Sequence, residues 1–110
     1  MKLNYDKTQI ANFIKNHRLE NKIKKYMLVV TEPGTCMFIV DYIRVDTLDR
    51  AYELALSLEK YKEHTADLLF SFTDNAFYTN QFVSLDDISL ILRENTYSDA
   101  LHILRMITRE

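Results

Sequence analysis

Tyr26-Met27-Leu28-Val29-Val30-Thr31 and Cys36-Met37-Phe38-Ile39-Val40-Asp41-Tyr42-Ile43-Arg44-Val45 stand on either side of Glu32-Pro33-Gly34-Thr35. Both runs are rich in β-branched and aromatic residues, which suit a pleated surface. The break between them holds the only proline and the only glycine of the chain. Proline fixes φ and glycine takes the left-handed position, so the break reads as a turn and the whole as a β-hairpin. Near the turn both faces of each run are apolar, which predicts an interior strand pair covered on both sides. Asp41 interrupts the second run and reads as a solvated sheet rim, or as a partner for a lysine across the ladder.

Upstream of the hairpin, a helix is predicted from Asp6. Its carboxylate suits free N–H groups, Gln9 sits at the capping-box position, and Tyr5 can staple onto Ile10. Ile10, Phe13, Ile14 and His17 share one helical face, and the periodicity is lost over residues 16–21. Downstream, Asp46 or Thr47 starts a second helix over 47–63, with an apolar stripe of Leu48, Ala51, Tyr52, Leu54, Ala55, Leu58 and Tyr61. A second hairpin is expected from 67–72 and 76–83 around Asp74-Asn75, since Asn and Asp tolerate left-handed turn positions. Ser84, with Asp87 three residues on and Val83 stapling to Ile88, caps a third helix that ends near Asn95. A fourth starts at Thr96 or Ser98 and buries Ala100, Ile103, Leu104 and Ile107. The expected class is α+β in the order α-ββ-α-ββ-α-α, with an antiparallel sheet of about four strands and helices packed on it.

The chain has 110 residues, 47% of them apolar and 27% charged. That suits one globular domain over 1–110, large enough to bury a core without staples. No linker, repeat or low-complexity segment divides it. A lone Cys36 excludes an internal disulfide and fits a reducing compartment. The opening residues lack the apolar core of a signal peptide, and no apolar run is long enough to cross a bilayer, so a cytoplasmic location is expected. The lean towards Ile, Lys, Asn, Tyr and Phe matches AT-rich codons, as in many low-GC bacteria and their phages.

A single glycine excludes several enzyme classes. Phosphate loops, dinucleotide-binding turns and the nucleophile elbow each need backbone that approaches a ligand without a Cβ in the way. His17, His64 and His102 have no ligand at metal spacing. Cys36 lies in an apolar run with no predicted base or helix N-terminus to activate it, and reads as a small buried hydrophobe. Asp46 with Asp49, and Asp86 with Asp87, fall in first helical turns, where free N–H groups favour anions. The strand after Asp41 offers Asp67-Leu68-Leu69 rather than the Glu-x-Lys of a metal-dependent nuclease. No catalytic residue, metal or cofactor is therefore assigned. A small ribonuclease using His with Arg or Lys is the residual enzymatic alternative.

Two surfaces remain as binding candidates. Leu90 falls opposite the apolar face set by Leu85, Ile88, Ile91 and Leu92. Leu54 and Leu56 widen the stripe of the middle helix, and Leu101 and Met106 widen that of the last, beside Leu104 and Ile107. Over-wide apolar faces together with seven tyrosines predict a protein interface, including a homodimer. The expectation is a non-enzymatic protein-binding domain. Its size and composition suit a phage or mobile-element accessory protein that inhibits host machinery.

The second candidate is charge. Residues 1–25 carry seven Lys or Arg against Asp6 and Glu20, a surplus of +5, whereas the whole chain is −2. Lys15, Arg18, Lys22, Lys24 and Lys25 would serve a nucleic-acid-binding regulator through phosphate contacts. The alternative for them is a solvated helix face followed by a lysine-rich loop.

Overall fold

The two runs of the first hairpin pair antiparallel as expected, but the second starts at Ile39 among the described residues and lies at the edge of the sheet. A computed structural model describes residues 1–34 and 38–109; Cys36, with Thr35 and Met37, lies outside the described residues. The elements run β1 (Lys2–Leu3), α1 (Lys7–Asn16), β2 (Lys25–Thr31), β3 (Ile39–Val45), α2 (Leu48–Ser57), a 3-10 turn (Glu59–Tyr61), β4 (Thr65–Ser71), a second 3-10 turn (Thr79–Gln81), α3 (Leu85–Glu94) and α4 (Tyr97–Thr108). The class is α+β, with a four-stranded sheet in the order β1-β4-β2-β3. β4 and β3 pair antiparallel with the central β2, whereas β1 pairs parallel with β4, so the sheet is mixed rather than antiparallel.

Alternation along the strands divides the sheet into two unlike faces. Tyr26, Leu28 and Val30 of β2 align with Val45 and Ile43 on one side and with Phe70, Leu68 and Ala66 on the other. These residues meet Ile10, Ala51, Ile88, Leu101 and Leu104, so α1, α2, α3 and α4 all contribute to one core on this face. Met27 and Val29 point the opposite way, where Leu69, Ala76 and Phe82 cover them. β2 is covered on both faces. Val40 and Tyr42 of β3 stay exposed, which corrects the interior placement predicted for that strand.

Three further expectations are corrected. Residues 76–83 do not form a strand. The Gln81 carboxamide oxygen accepts from the N–H groups of Phe77 (2.7 Å) and Tyr78 (2.9 Å), which holds the segment as a loop. Of that segment Val83 alone pairs with the sheet, with Phe70. The helix predicted over 47–63 stops at Ser57, because Leu58 turns extended (φ −80°, ψ 98°) before a 3-10 turn. β1 was not foreseen: two residues carry too little periodicity to read, and Lys2 N–H reaches His64 O only through tertiary pairing, at 2.9 Å.

The helix starts follow the sequence closely. Asp6 N–H donates to Gln9 Oε1 at 3.0 Å. Thr47, Ser84 and Thr96 side chains accept from the N–H groups of Arg50, Asp87 and Asp99. Each such bond satisfies an otherwise orphaned N–H of a first turn. In α4 the buried residues are Ala100, Leu101, Leu104 and Thr108. The helix is thus rotated from the expected face, with Leu101 turned in and Ile107 turned out.

Candidate protein-interaction surface

The face of the sheet without helices is where exposed apolar residues collect. Tyr42 and Arg44 project from it along β3, opposite Val29 and Met27, and Val40 is exposed where the register shifts. The loop after β4 brings Phe77 and Tyr78 beside them. The Arg44 guanidinium carbon lies 3.8 Å from the centre of the Phe77 ring. The Phe77 and Tyr78 rings meet edge-on, with centres 5.1 Å apart. Met27, Tyr42, Arg44, Phe77, Tyr78 and Thr79 line one shallow depression of about 400 Å³. Phe38 and Tyr78 are each about two-thirds exposed, at 64% and 67%. An arginine stacked on one ring of an aromatic pair has the composition of interface hot spots.

The residues predicted as an interface are placed differently from one another. Leu101 and Leu104 are buried in the core of the chain itself, where a partner cannot reach them. Leu54 packs partly against that core and lines a depression with Arg44, Asp46, Thr47 and Arg50. Leu56 is almost fully exposed, at 89%, beside a groove formed with Met1, Leu3, Tyr5 and Tyr52. Leu90, Met106 and Ile107 are exposed on α3 and α4. The exposed members therefore sit on three helices and are not gathered with the aromatic patch. Phe77 and Tyr78 were missed because their segment was read as a strand, although the adjacent aromatic pair was a visible signal.

Of the basic residues, two are drawn into the fold. Arg18 lies over the Tyr97 ring at 4.1 Å, and the Tyr97 hydroxyl donates to the Arg18 carbonyl. Arg18 takes a left-handed backbone (φ 54°), so this clamp holds a turn that lacks glycine. Lys25 bonds Asp46 at 2.7 Å, and that bond, then the charge of Lys25, holds the Asp46 carboxyl below its usual range. Lys15 and Lys24 are exposed and Lys22 is half-buried.

The titratable groups considered for chemistry have structural surroundings. His17 stacks on Phe13, with ring centres 4.4 Å apart, and His64 lies 5.1 Å from Tyr61. His102 is exposed on α4. Asp49 pairs with Lys7 at 2.6 Å. Asp41 sits half-buried at the sheet rim, accepting from the Tyr61 hydroxyl (2.6 Å) and the Tyr42 N–H (2.8 Å). That hydrogen bond, more than burial, pushes the Tyr61 hydroxyl pKa up. Among the described residues, no three His, Cys, Asp or Glu side chains group as a metal site, and no helix is long and apolar enough to cross a membrane.

Comparison with known proteins adds no relative. No family model matches the chain, and no significant match emerges among curated proteins or solved structures.

Proposed function

We propose that this is a non-enzymatic domain that works by binding protein, through the helix-free face of its sheet. The observation that carries the reading is the joined patch of Tyr42, Arg44, Phe77 and Tyr78, with Phe38 and Val40 also exposed in the chain just before Tyr42. A sheet face of this kind costs solubility when left bare, and its aromatic and arginine content matches what protein interfaces bury. The nucleic-acid alternative draws less support, since Arg18 and Lys25 already have partners in the fold. A cytoplasmic accessory protein of a phage or mobile element, inhibiting host machinery by covering a surface, is the setting that the AT-rich composition suits.

The test is affinity capture from the native host after nuclease treatment. The expected outcome is a nuclease-resistant partner that is lost with Tyr42→Ser plus Tyr78→Ser and kept with Leu56→Ser. A partner lost on nuclease treatment, and also lost when Lys15, Lys22 and Lys24 become Ala, would favour the nucleic-acid reading instead.

A further inference from the structure

The two edges of the sheet are finished in opposite ways. Along β4 the backbone groups turned away from β2 belong to His64, Ala66, Leu68 and Phe70. His64 O accepts from Lys2 N–H at 2.9 Å and Ala66 O from Asn4 N–H at 3.2 Å. Leu68 N–H donates to the Asn4 side-chain oxygen at 3.1 Å, and Phe70 exchanges two 2.8 Å bonds with Val83. Each of these four residues is therefore bonded on that edge. On β3 the same alternation turns Tyr42 and Arg44 outward. Among the described residues, the hydrogen bond found there runs from Tyr42 N–H to its neighbour's carboxylate, Asp41 Oδ1. The stretch 41–45, which keeps regular register with β2 beyond the shift opposite Val30 and Thr31, is a template for another strand.

We propose that a second copy of this chain occupies that edge, its β3 pairing antiparallel with the first so that the two sheets become one. The inference deepens the protein-binding reading and rests on it. A two-fold axis requires the same patch on both partners, and side chains on one face must meet side chains on that face. Residue positions therefore meet either themselves or positions an even number away. Centring on Asp41 or on Arg44 sets like charges directly opposite, which is unfavourable. Centring on Tyr42 sets the two Tyr42 residues opposite each other and pairs Asp41 with Ile43 of the second copy, within the stretch 41–45 that keeps regular register with β2. Each Tyr42 N–H then leaves Asp41 for the opposite Tyr42 carbonyl, while Tyr61 keeps hold of the carboxylate.

The area is sufficient. Half-exposed aromatic side chains offer on the order of 100 Å² each, given about 150–250 Å² when fully buried. Phe38, Tyr42, Phe77 and Tyr78, with Val40, supply about half of the roughly 800 Å² per partner of a standard interface. The backbone edge and the polar rim supply the remainder.

Sedimentation of the full chain, with backbone amide exchange followed by NMR, tests this. The wild type is expected to be dimeric at micromolar concentration. Exchange at Tyr42 should slow as concentration rises, while amides at the Leu56 end of α2 do not change. Tyr42→Lys should give a folded monomer, and Leu56→Lys should remain a dimer. Asp41→Ala frees the Tyr42 N–H from its competitor and should tighten the dimer by roughly tenfold. A monomer at about 100 μM, far above the micromolar range of a specific pair, overturns the inference. So does a dimer that survives Tyr42→Lys. A monomer that still captures a nuclease-resistant partner through Tyr78 overturns the second copy alone and leaves protein binding standing. A monomer that captures nothing overturns both.

Discussion

Thr108, fully buried in the last turn of α4, accepts a hydrogen bond from the Phe72 N–H at 3.2 Å and donates to Leu104 O at 2.8 Å. One hydroxyl thus satisfies the first amide beyond β4 and ties the final helix to the sheet. Thr108→Val keeps the shape and strands the Phe72 N–H in the core, at a cost of about 1–3 kcal/mol. Thr108→Ser keeps the bond and should lose much less. Urea unfolding followed by circular dichroism separates the two.

Asn4 has a corresponding role earlier along β4. Its side-chain oxygen takes the Leu68 N–H, and its backbone N–H bonds Ala66 O. Asn4→Ala should cost about 1 kcal/mol and raise amide exchange at Leu68. Unchanged exchange at Leu68 would show that water replaces the carboxamide there.

Burial separates residues that the sequence grouped together. Leu104→Ala opens a cavity in the core and should cost about 2–5 kcal/mol. Leu56→Ala, on the surface, should stay within about 0.5 kcal/mol. Equal losses at the two positions would show that Leu56 is covered in solution, which would reopen α2 as an interface.

What the sequence made legible was local. Asp6, Thr47, Ser84 and Thr96 marked the helix starts because capping depends on residues three positions apart. The 26–45 hairpin was readable because its turn holds the chain's proline and glycine. What escaped depended on distant partners. β1 exists through its pairing with β4, and the 76–83 loop is held by Gln81, whose carboxamide also donates to Arg109 O at 3.2 Å. The faces of α4 were misjudged because Thr108 looks polar in sequence yet is buried by its bonds to Phe72 and Leu104. The same limit applied to the surface. Phe77 and Tyr78 join Tyr42 and Arg44 only after the loop folds across the sheet.

Charge gives a fourth expectation. With Arg18 on Tyr97 and Lys25 on Asp46, the candidates for phosphate contact reduce to Lys15, Lys22 and Lys24. Three contacts limit the log-log slope of affinity against salt to about −2 to −3. Little binding to nucleic acid is expected at about 150 mM salt. A slope near −5 in gel-shift titrations would mean that Arg18 and Lys25 leave their partners.

The last expectation concerns alkaline pH. The Tyr52 hydroxyl donates to Tyr5 O at 2.6 Å, joining α2 to the segment before α1. Burial, and secondly the charge of Asp6, push its pKa up from 10.0 to about 12. Below pH 10 the hydroxyl is protonated in both folded and unfolded chains, so its contribution is fully present. Between the two values the unfolded chain releases the proton and the folded chain retains it. Stability must then fall as pH rises through that window. Tyr52→Phe removes the ionisation and the bond together. It should cost about 1 kcal/mol at neutral pH and show a shallower loss of Tm above pH 10 than the wild type. Tyr5, Tyr26 and Tyr61 also have raised pKa values, so the difference between variant and wild type is the quantity to measure. Parallel Tm curves across the window would show that the Tyr52 hydroxyl is open to water and not held against Tyr5.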